Sequence, residues 1–179
     1  MDVSGTKKVG NRARVRGFTL LEIMITVTII SVMTAVSLVS LSNLKMKQQV
    51  SGDARSLASA IRSAQNFALT GRNILGVGFI PCAFKVSASG SSFTLQQSNS
   101  TDCVNFQGNA YSLSSGVSFS SAQEISFNVP QAEPRDENGK ELGESGARAL
   151  VDFTLSKGGN TAHVCVYPLG RIEDNLPAC

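Results

Sequence analysis

Glu22 is the single charged residue in a long stretch of the sequence, residues 18–44, that is otherwise uncharged. A carboxylate surrounded by hydrocarbon costs about 3 kcal/mol or more unless it gains a partner. The chemistry open to Glu22 is therefore the pairing of its charge with a cation. The other residues that could do chemistry are four cysteines and one histidine, all of which follow this stretch. Their use depends on whether the chain after residue 44 is exported.

The basic residues are concentrated in front of the apolar stretch. Of 16 basic and 13 acidic residues in the chain, five basic ones precede Phe18, against Asp2 alone. They are Lys7, Lys8, Arg12, Arg14 and Arg16. The remainder of the chain is close to neutral, which argues against a nucleic-acid-binding face on its folded part. Positive charge followed by an apolar run is typical of an export signal or a membrane anchor whose charged end stays in the cytoplasm.

Two ordinary interpretations of this arrangement leave features unexplained. A removable secretory peptide has an apolar core of about 7–15 residues before a small-residue cleavage site. Ala35-Val36-Ser37 would serve as that site, but the uncharged stretch here is longer. A single-span anchor fits the length, because residues 18–44 as a helix would rise about 40 Å and the hydrocarbon core is about 30 Å thick. Glu22 would then extend toward the head groups without a further role.

A third interpretation accounts for the residues at the start of the stretch. Gly17-Phe18-Thr19-Leu20-Leu21-Glu22, preceded by basic residues, resembles the prepilin signature shared by type IV pilins and type II secretion pseudopilins. In that family a membrane peptidase cuts after the glycine and methylates the new first residue. The resemblance implies cleavage between Gly17 and Phe18 and N-methylation of Phe18. The apolar stretch then stays in the mature protein.

Cleavage at this bond would give Glu22 its partner. The new amine at Phe18 lies four residues before Glu22, at a helix start where negative charge is favoured. In a filament, Glu22 could pair with the amine of an adjacent subunit and set the register, a role for which buried polar groups are well attested. The resemblance implies four partners: other pilin or pseudopilin subunits, prepilin peptidase, an inner-membrane assembly platform and, before assembly, membrane lipid. It places the chain in the inner membrane with its head outside the cytoplasm, and later in a filament.

The apolar stretch is expected to continue as an amphipathic helix. Apolar residues recur in steps of three and four at Val50, Ala54, Leu57, Ile61, Ala64 and Ala68. Gly71 is a natural helix stop. No proline interrupts residues 18–80, so one continuous helix is predicted. Hydroxyl residues recur every three positions at Thr28, Ser31, Thr34, Ser37 and Ser40. They either form a ridge for close helix packing or bond to carbonyls of their own helix.

Short runs with β-strand patterns follow the helix. They cover residues 74–80, 83–86, 93–96, 104–106, 111–113, 117–119, 125–129, 149–155 and 161–167. Residues 87–91 are predicted to form a hairpin turn, and the serine-rich zone 87–121 is interpreted as strands rather than as a linker. The fold class is α+β, with a long N-terminal helix packed on a β-rich antiparallel head, as in the pilin fold. The predicted divisions are a leader (1–17), a transmembrane and assembly half of the helix (18–44), an amphipathic half (45–71) and the head (72–179).

Two further segments are similar to one pseudopilin branch, the GspH/FimT group. They are residues 57–73 and 164–172, the second of which ends in a Gly170-Arg171 turn. A minor pilin or pseudopilin is therefore expected, with a filament-tip module that captures DNA or a secreted substrate as the alternative. Because Glu173 and Asp174 follow the turn and would repel phosphate, DNA binding is not favoured.

The four cysteines are expected to form disulfides if the head is exported. Of the three possible connectivities, Cys82–Cys103 with Cys165–Cys179 closes two short loops, each worth about 3 kcal/mol. A zinc site is the competing use, but the sequence has no C-x-x-C pair, and its lone histidine, His163, falls in a predicted strand.

The acidic run at residues 133–146 is the last candidate site. It is interpreted as a solvated loop with a turn at Asn138-Gly139. Calcium binding is the alternative, although Lys140 lies where an EF-hand needs an oxygen ligand. No catalytic constellation or phosphate-binding loop is visible, so neither enzymatic activity nor a cofactor is expected.

Overall fold

The structure is a computed structural model that describes residues 18–76, 78, 80–98, 103, 105–145 and 147–179, and describes no side chains at residues 36–40. The predicted leader, residues 1–17, lies outside these residues. The chain divides into two compact units, one ending at Leu41 and the other comprising Ser42–Cys179. The sequence analysis set its corresponding boundary at residue 44. The functional divisions assigned to these segments stay predictions.

One α-helix, α1, runs from Leu20 to Thr70. Within the second unit, the predicted apolar stripe of this helix is confirmed. All six of its residues are at most 1% exposed, and they join one hydrophobic core with residues of both sheets. The stripe is buried because steps of three and four residues return side chains to the same side of a helix. Phe67, next to the stripe, contacts Phe84 of the head at 5.8 Å between ring centroids.

α1 ends at the glycine that the sequence indicated. Gly71 adopts a left-handed conformation, with a φ of +61°. The N–H group of Arg72 donates to the carbonyl of Phe67 at 3.2 Å, which is the 6→1 hydrogen bond of a Schellman motif. A residue without a Cβ meets no steric penalty at this φ. The turn therefore satisfies a terminal carbonyl of the helix and redirects the chain toward the head.

Two antiparallel sheets form the head. The strands are β1 (Ala83–Ser89), β2 (Ser92–Ser98), β3 (Phe106–Ser112), β4 (Ser118–Phe119), β5 (Gln123–Asn128), β6 (Pro134–Arg135), β7 (Val151–Lys157), β8 (Asn160–Val166) and β9 (Ile172–Leu176). The five-stranded sheet has the order β3-β2-β1-β5-β6, and the four-stranded sheet has the order β4-β7-β8-β9. Their inward residues, among them Phe84, Phe127 and Phe153, are fully buried. The predicted α+β class, a long helix packed on an antiparallel head, is confirmed.

The prediction of a strand at residues 74–80 is wrong for its described residues, which form no strand. Side-chain oxygens accept hydrogen bonds from the backbone N–H groups that would otherwise pair with a neighbouring strand. The N–H of Ile74 donates to Gln97 Oε1 at 2.7 Å, and the N–H of Leu75 donates to Asn73 Oδ1 at 3.1 Å. Gly76, with a φ of +68°, adds a left-handed bend. This segment therefore crosses the surface as a loop.

The remaining strand predictions are confirmed with shifted ends, except that the separately predicted runs 104–106 and 111–113 both fall on one strand, β3. The hairpin between β1 and β2 turns at Gly90, whose φ is +58°, and most of the serine-rich zone is strand. Of the predicted run 104–106, Val104 lies outside the described residues, and β3 begins at Phe106. Two strands were not predicted from the sequence, β6 and β9.

Polar contacts also join the helix to the head within the second unit. The carboxylate of Asp53 accepts hydrogen bonds from the Ser114 N–H at 2.9 Å and the Ser114 hydroxyl at 3.1 Å. The Lys157 ammonium donates to Gln49 Oε1 at 2.8 Å. Beside it, the turn between β7 and β8 rests on the helix, because a Cβ at Gly158 would lie only 2.7 Å from Met46 Sδ. These contacts hold the loops of both sheets against one helix.

Candidate processing and assembly site

The first turn of α1 is capped by a threonine. The N–H of Glu22 donates to the Thr19 hydroxyl oxygen at 3.3 Å, and the N–H groups of Glu22 and Ile23 donate to the Thr19 carbonyl at 3.1 and 3.3 Å. Thr19 is thus the N-cap residue, and Glu22 lies at the third helical position. Thr19 was not predicted as a cap, although T-x-x-E is the spacing of a capping box. The cap fixes where the helix begins and therefore where the carboxylate of Glu22 lies along it.

The residues at the predicted cleavage bond lie directly before this cap. Phe18 is 77% exposed and precedes the helix, whereas Gly17 lies outside the described residues. Glu22 is exposed in the first turn, where a negative charge is stabilised by the helix dipole. An amine at Phe18 would also lie at this end of the helix. The geometry thus leaves Glu22 available to a cation.

The apolar side chains that follow Glu22 are uncovered within their own unit. Every residue from 18 to 35 is exposed, including large ones such as Leu20 and Ile30. Among the described hydroxyl residues of the predicted ridge, each bonds to its own helix. Thr28 donates to the Ile25 carbonyl at 2.7 Å, Ser31 to Val27 at 2.8 Å and Thr34 to Ile30 at 2.7 Å. The hydroxyl groups are therefore satisfied, and the surface that remains is apolar; the side chains of Ser37 and Ser40 lie outside the described residues.

The comparisons with known proteins identify the segment that contains this site. Residues 12–38 match the prokaryotic N-terminal methylation motif. The match is to a prepilin signal of the type IV pilin kind, and such a signal implies processing by prepilin peptidase and assembly with other pilins. It covers the predicted cleavage bond, Phe18, Thr19 and Glu22. Neither the curated proteins nor the solved structures contain a match to the chain.

Within the part of the chain that the structure describes, none of the helical segments has both the length and the apolarity needed to cross a membrane.

Both disulfides of the head join nearby parts of the chain. Cys82 is bonded to Cys103, with 5.6 Å between their Cα atoms, and Cys165 is bonded to Cys179, with 5.7 Å. These are the two pairs that the loop lengths favoured in the sequence. The second disulfide fastens the residues after β9 to β8. The sulfur atoms of Cys165 and Cys179 lie near the Asp152 carboxylate, but the disulfide removes the thiolates that a zinc ion would bind.

His163 lies on β8 opposite β7 and is held by that strand. Its Nδ1 lies 2.9 Å from Asp152 Oδ2 and 3.3 Å from the Thr154 hydroxyl. The three side chains project from the same side of the sheet, where alternate residues of paired strands meet. The arrangement is a cross-strand polar cluster, which agrees with the interpretation of His163 as a strand residue.

The acidic run has an exposed turn at residues 137–140, as predicted, and one buried carboxylate that bonds within the run. Asp136 is 4% exposed, and its Oδ1 accepts hydrogen bonds from the N–H groups of Asn138 at 2.9 Å and Lys140 at 3.0 Å. Gly139 has a φ of +75° in the predicted turn. Within the described part of the run, Glu137 pairs with Arg148 at 2.6 Å, so two of the oxygen donors considered for calcium already have protein partners. Gly146 lies outside the described residues.

The carboxyl groups of Glu133 and Glu141 influence each other. A hydrogen bond to Glu141, followed by repulsion from its charge, raises the pKa of Glu133 above its ordinary value. Arg135 offsets part of this effect, and it also forms an ion pair with Glu141. This end of the head therefore presents excess negative charge to solvent.

The turn containing Gly170 and Arg171 is linked to the second half of α1. The Arg62 guanidinium lies 3.0 Å from Asp174 Oδ1, and Arg171 lies over the Tyr167 ring at 4.2 Å from its centroid. Arg171 also lies 3.5 Å from Glu173. Both arginines thus have carboxylate partners, which lowers their attraction for a phosphate backbone.

Proposed function

We propose that this chain is a structural subunit of a type IV pilus or a type II secretion pseudopilus, a minor pilin or pseudopilin of the GspH/FimT-like branch. The observation that carries the proposal is the methylation motif at residues 12–38. The proposed role is assembly rather than catalysis. The choice of branch rests on the resemblance of residues 57–73 and 164–172 and on the pairing of a long helix with a strand-rich head.

The proposed route begins in the inner membrane. Residues 18–44 would lie in lipid, with the basic leader in the cytoplasm and the head outside, until prepilin peptidase cuts after Gly17 and methylates Phe18. On assembly, the apolar side chains that are exposed here would exchange lipid for the helices of neighbouring subunits. The free-energy change of this exchange is small, because lipid tails and apolar side chains provide similarly apolar surroundings.

Glu22 gives the assembly its register in this proposal. A carboxylate entering an apolar bundle must be paired, and the amine created at Phe18 of an adjacent subunit supplies the opposite charge. Thr19 supports the pairing by fixing the first turn, so that Glu22 and the amine keep a defined spacing. A subunit that is one turn out of register would leave both charges unpaired.

The test of processing is the mass of the mature chain. The full chain and its Gly17→Ala variant are expressed with and without prepilin peptidase, and intact masses are measured. We expect the parent chain to lose residues 1–17 and to gain one methyl group on Phe18 only with the peptidase. The variant should keep the leader. A parent chain that keeps residues 1–17 in the presence of the peptidase would refute the proposal.

The test of assembly compares three residues at position 22. Glu22→Ala should leave insertion and head stability unchanged but strongly reduce filament number, because the amine loses its partner. Glu22→Asp, the matched control, keeps the charge and should retain part of the assembly. Filament counts by electron microscopy give the measurement, and normal filaments in Glu22→Ala would refute the register role.

The alternative of DNA capture at a filament tip is less well supported. Beside the turn, Arg62 of α1 pairs with Asp174 of β9, and Arg171 pairs with Glu173. We expect no retardation of DNA by the purified full chain in detergent, even at low salt. Retardation that is lost in an Arg171→Ala variant would favour the alternative.

A further inference from the structure

Leu169 has an exposed apolar side chain and an unfavourable backbone conformation. It is 99% exposed, in the turn between β8 and β9, and its φ is +67°. A left-handed conformation costs a branched side chain about 1–2 kcal/mol, whereas glycine and asparagine tolerate it. Leu169 gains no burial in return. Its contribution must therefore be sought outside the folded chain.

The turn that carries Leu169 is fixed from several sides. The Tyr167 N–H donates to the Arg171 carbonyl at 2.9 Å, and the Gly170 N–H donates to the Tyr167 carbonyl at 3.2 Å. Gln65 of α1 donates to the Gly170 carbonyl at 3.2 Å and lies so close that a Cβ at residue 170 would be 2.1 Å from its amide nitrogen. Leu169 is thus held in place before any partner arrives, which lowers the entropy cost of binding.

A groove of about 400 Å³ lies beside Leu169. Its apolar lining comes from Leu69 near the end of α1, Ala132, Leu142 and Pro168. Ala132 is a second non-glycine residue with a positive φ, at +54°. Its acidic lining comes from Glu133, which is exposed, and from Glu141, which is paired with Arg135. The groove therefore fits an apolar side chain that is accompanied by positive charge.

The chain itself carries a segment of this chemistry. At residues 44–47, early in the second unit, α1 presents Leu44, which is 57% exposed, with exposed Lys45 and Lys47. Among the described residues, no ion pair joins Lys45 or Lys47 to an acid, so both charges remain open to a partner. The apolar and charged features of this segment are thus complementary to those of the groove.

We infer that the Leu169 groove of one copy binds the Leu44–Lys47 segment of a second copy. Leu169 and Leu44 supply the apolar contact, and the two lysines face the exposed carboxylate of Glu133. Leu69 lies 25 residues after Leu44 in the same helix, a rise of about 37 Å. The contact therefore joins different surfaces of the two copies, which makes it a head-to-tail contact.

The first experiment maps what touches Leu169 in the full chain. The photoreactive residue p-benzoylphenylalanine replaces Leu169, the chain is expressed in cells that carry prepilin peptidase, and membranes and filaments are irradiated. We expect a two-chain adduct whose cross-linked peptide contains residues 44–47. The same probe at the exposed Tyr111 should not label those residues. An adduct at another site or with another protein, or no adduct, would overturn the inference.

The second experiment separates recognition from folding. The probe is placed at Leu69, on the far side of the groove, in the presence of Leu169→Asn. Asparagine tolerates the left-handed turn, so the thermal midpoint should not fall, while the adduct yield should drop about tenfold. Lys45→Glu should lower the yield, and Glu133→Lys in the same chain should restore it. An unchanged yield in Leu169→Asn would also overturn the inference.

The inference rests on the proposed function only for its filament setting, and the two can fail separately. The mass of the same irradiated sample reports whether residues 1–17 were removed. A processed chain without the expected adduct contradicts the Leu169 groove contact alone. An unprocessed chain contradicts the proposed function, whatever adduct it forms.

Discussion

The two halves of α1 use the same apolar residue types in opposite ways. Residues 18–35 expose every side chain, and their described hydroxyl groups bond to their own helix. Residues 50–68 bury a narrow stripe and place Asp53 against a loop of the head and Arg62 against β9. The second half is stabilised within the chain. The first half has polar groups that are satisfied and an apolar surface that still needs a partner.

The difference suggests that the second half of α1 stabilises the folded head, whereas the first half serves assembly. A substitution in the second half acts first on the folding of the head. A substitution in the first half should act on processing, insertion or filament formation and leave the head unchanged.

The largest effect is expected from a cavity in the buried stripe. Leu57→Ala should lower the free energy of unfolding by about 2–5 kcal/mol, because Leu57 is fully buried between the helix and the sheets. Leu21→Ala removes the same atoms from an exposed position and is the matched control. Thermal unfolding of the full chain in detergent measures both. A similar loss in the two variants would remove the distinction between the halves.

The second prediction concerns the disulfide that fastens the end of the four-stranded sheet. The double variant Cys165→Ser, Cys179→Ser should lose about 3 kcal/mol, since the bond closes a short loop with a separation of 14 residues. The corresponding change at Cys82 and Cys103, with a separation of 21, should cost slightly more. Denaturant unfolding measures both variants. Processing of the N-terminus should be unchanged, and a defect in cleavage would link regions that the comparison treats as separate.

The third prediction concerns a polar contact of the second half. Asp53→Ala removes an acceptor of two hydrogen bonds from Ser114 and should cost about 1–3 kcal/mol. Asp53→Asn keeps one oxygen and should cost less. Hydrogen exchange at the Ser114 N–H reports the contact directly. Slow exchange in Asp53→Ala would mean that the loop is held by something else.

The smallest effect is expected at Glu133, whose carboxyl group lines the Leu169 groove next to Glu141. The pKa of Glu133 is raised by Glu141, so the contribution of Glu133 to stability is fully present below its ordinary pKa and is lost as pH rises through the raised value. Glu133→Gln cannot ionise. It should therefore unfold at a slightly higher temperature than the parent near pH 7 but not near pH 4. A lower unfolding temperature for Glu133→Gln than for the parent at pH 7 would contradict a destabilising interaction between Glu133 and Glu141.

The parts of the fold that depend on periodicity could be predicted from the sequence. The stripe from Val50 to Ala68 and the stop at Gly71 follow from helical spacing and from the permissive backbone of glycine. The strands with alternating apolar residues, such as β5 and β7, were found for the same reason. The cysteine pairs could be ranked because a short loop closes at a lower entropy cost than a long one.

The remainder depends on contacts between distant residues. Ile74 has a strand-like neighbourhood in the sequence, but Gln97, 23 residues later, takes its N–H group. β6 and β9 contain proline or acidic residues and become strands only because β5 and β8 offer them an edge. The Leu169 groove could not be predicted, since it arises where a strained turn, a loop and the end of α1 meet. Thr19 could have been found from its spacing to Glu22.

The contact between Met46 and Gly158 has a chemical consequence. The thioether sulfur occupies space that even one additional carbon on the turn would fill. Oxidation of Met46 to its sulfoxide would add an oxygen atom and a large dipole at this point. Either the Met46 side chain or the tip of the β7–β8 hairpin would then have to move, so an oxidant that leaves the core intact should still loosen the contact between the helix and this hairpin.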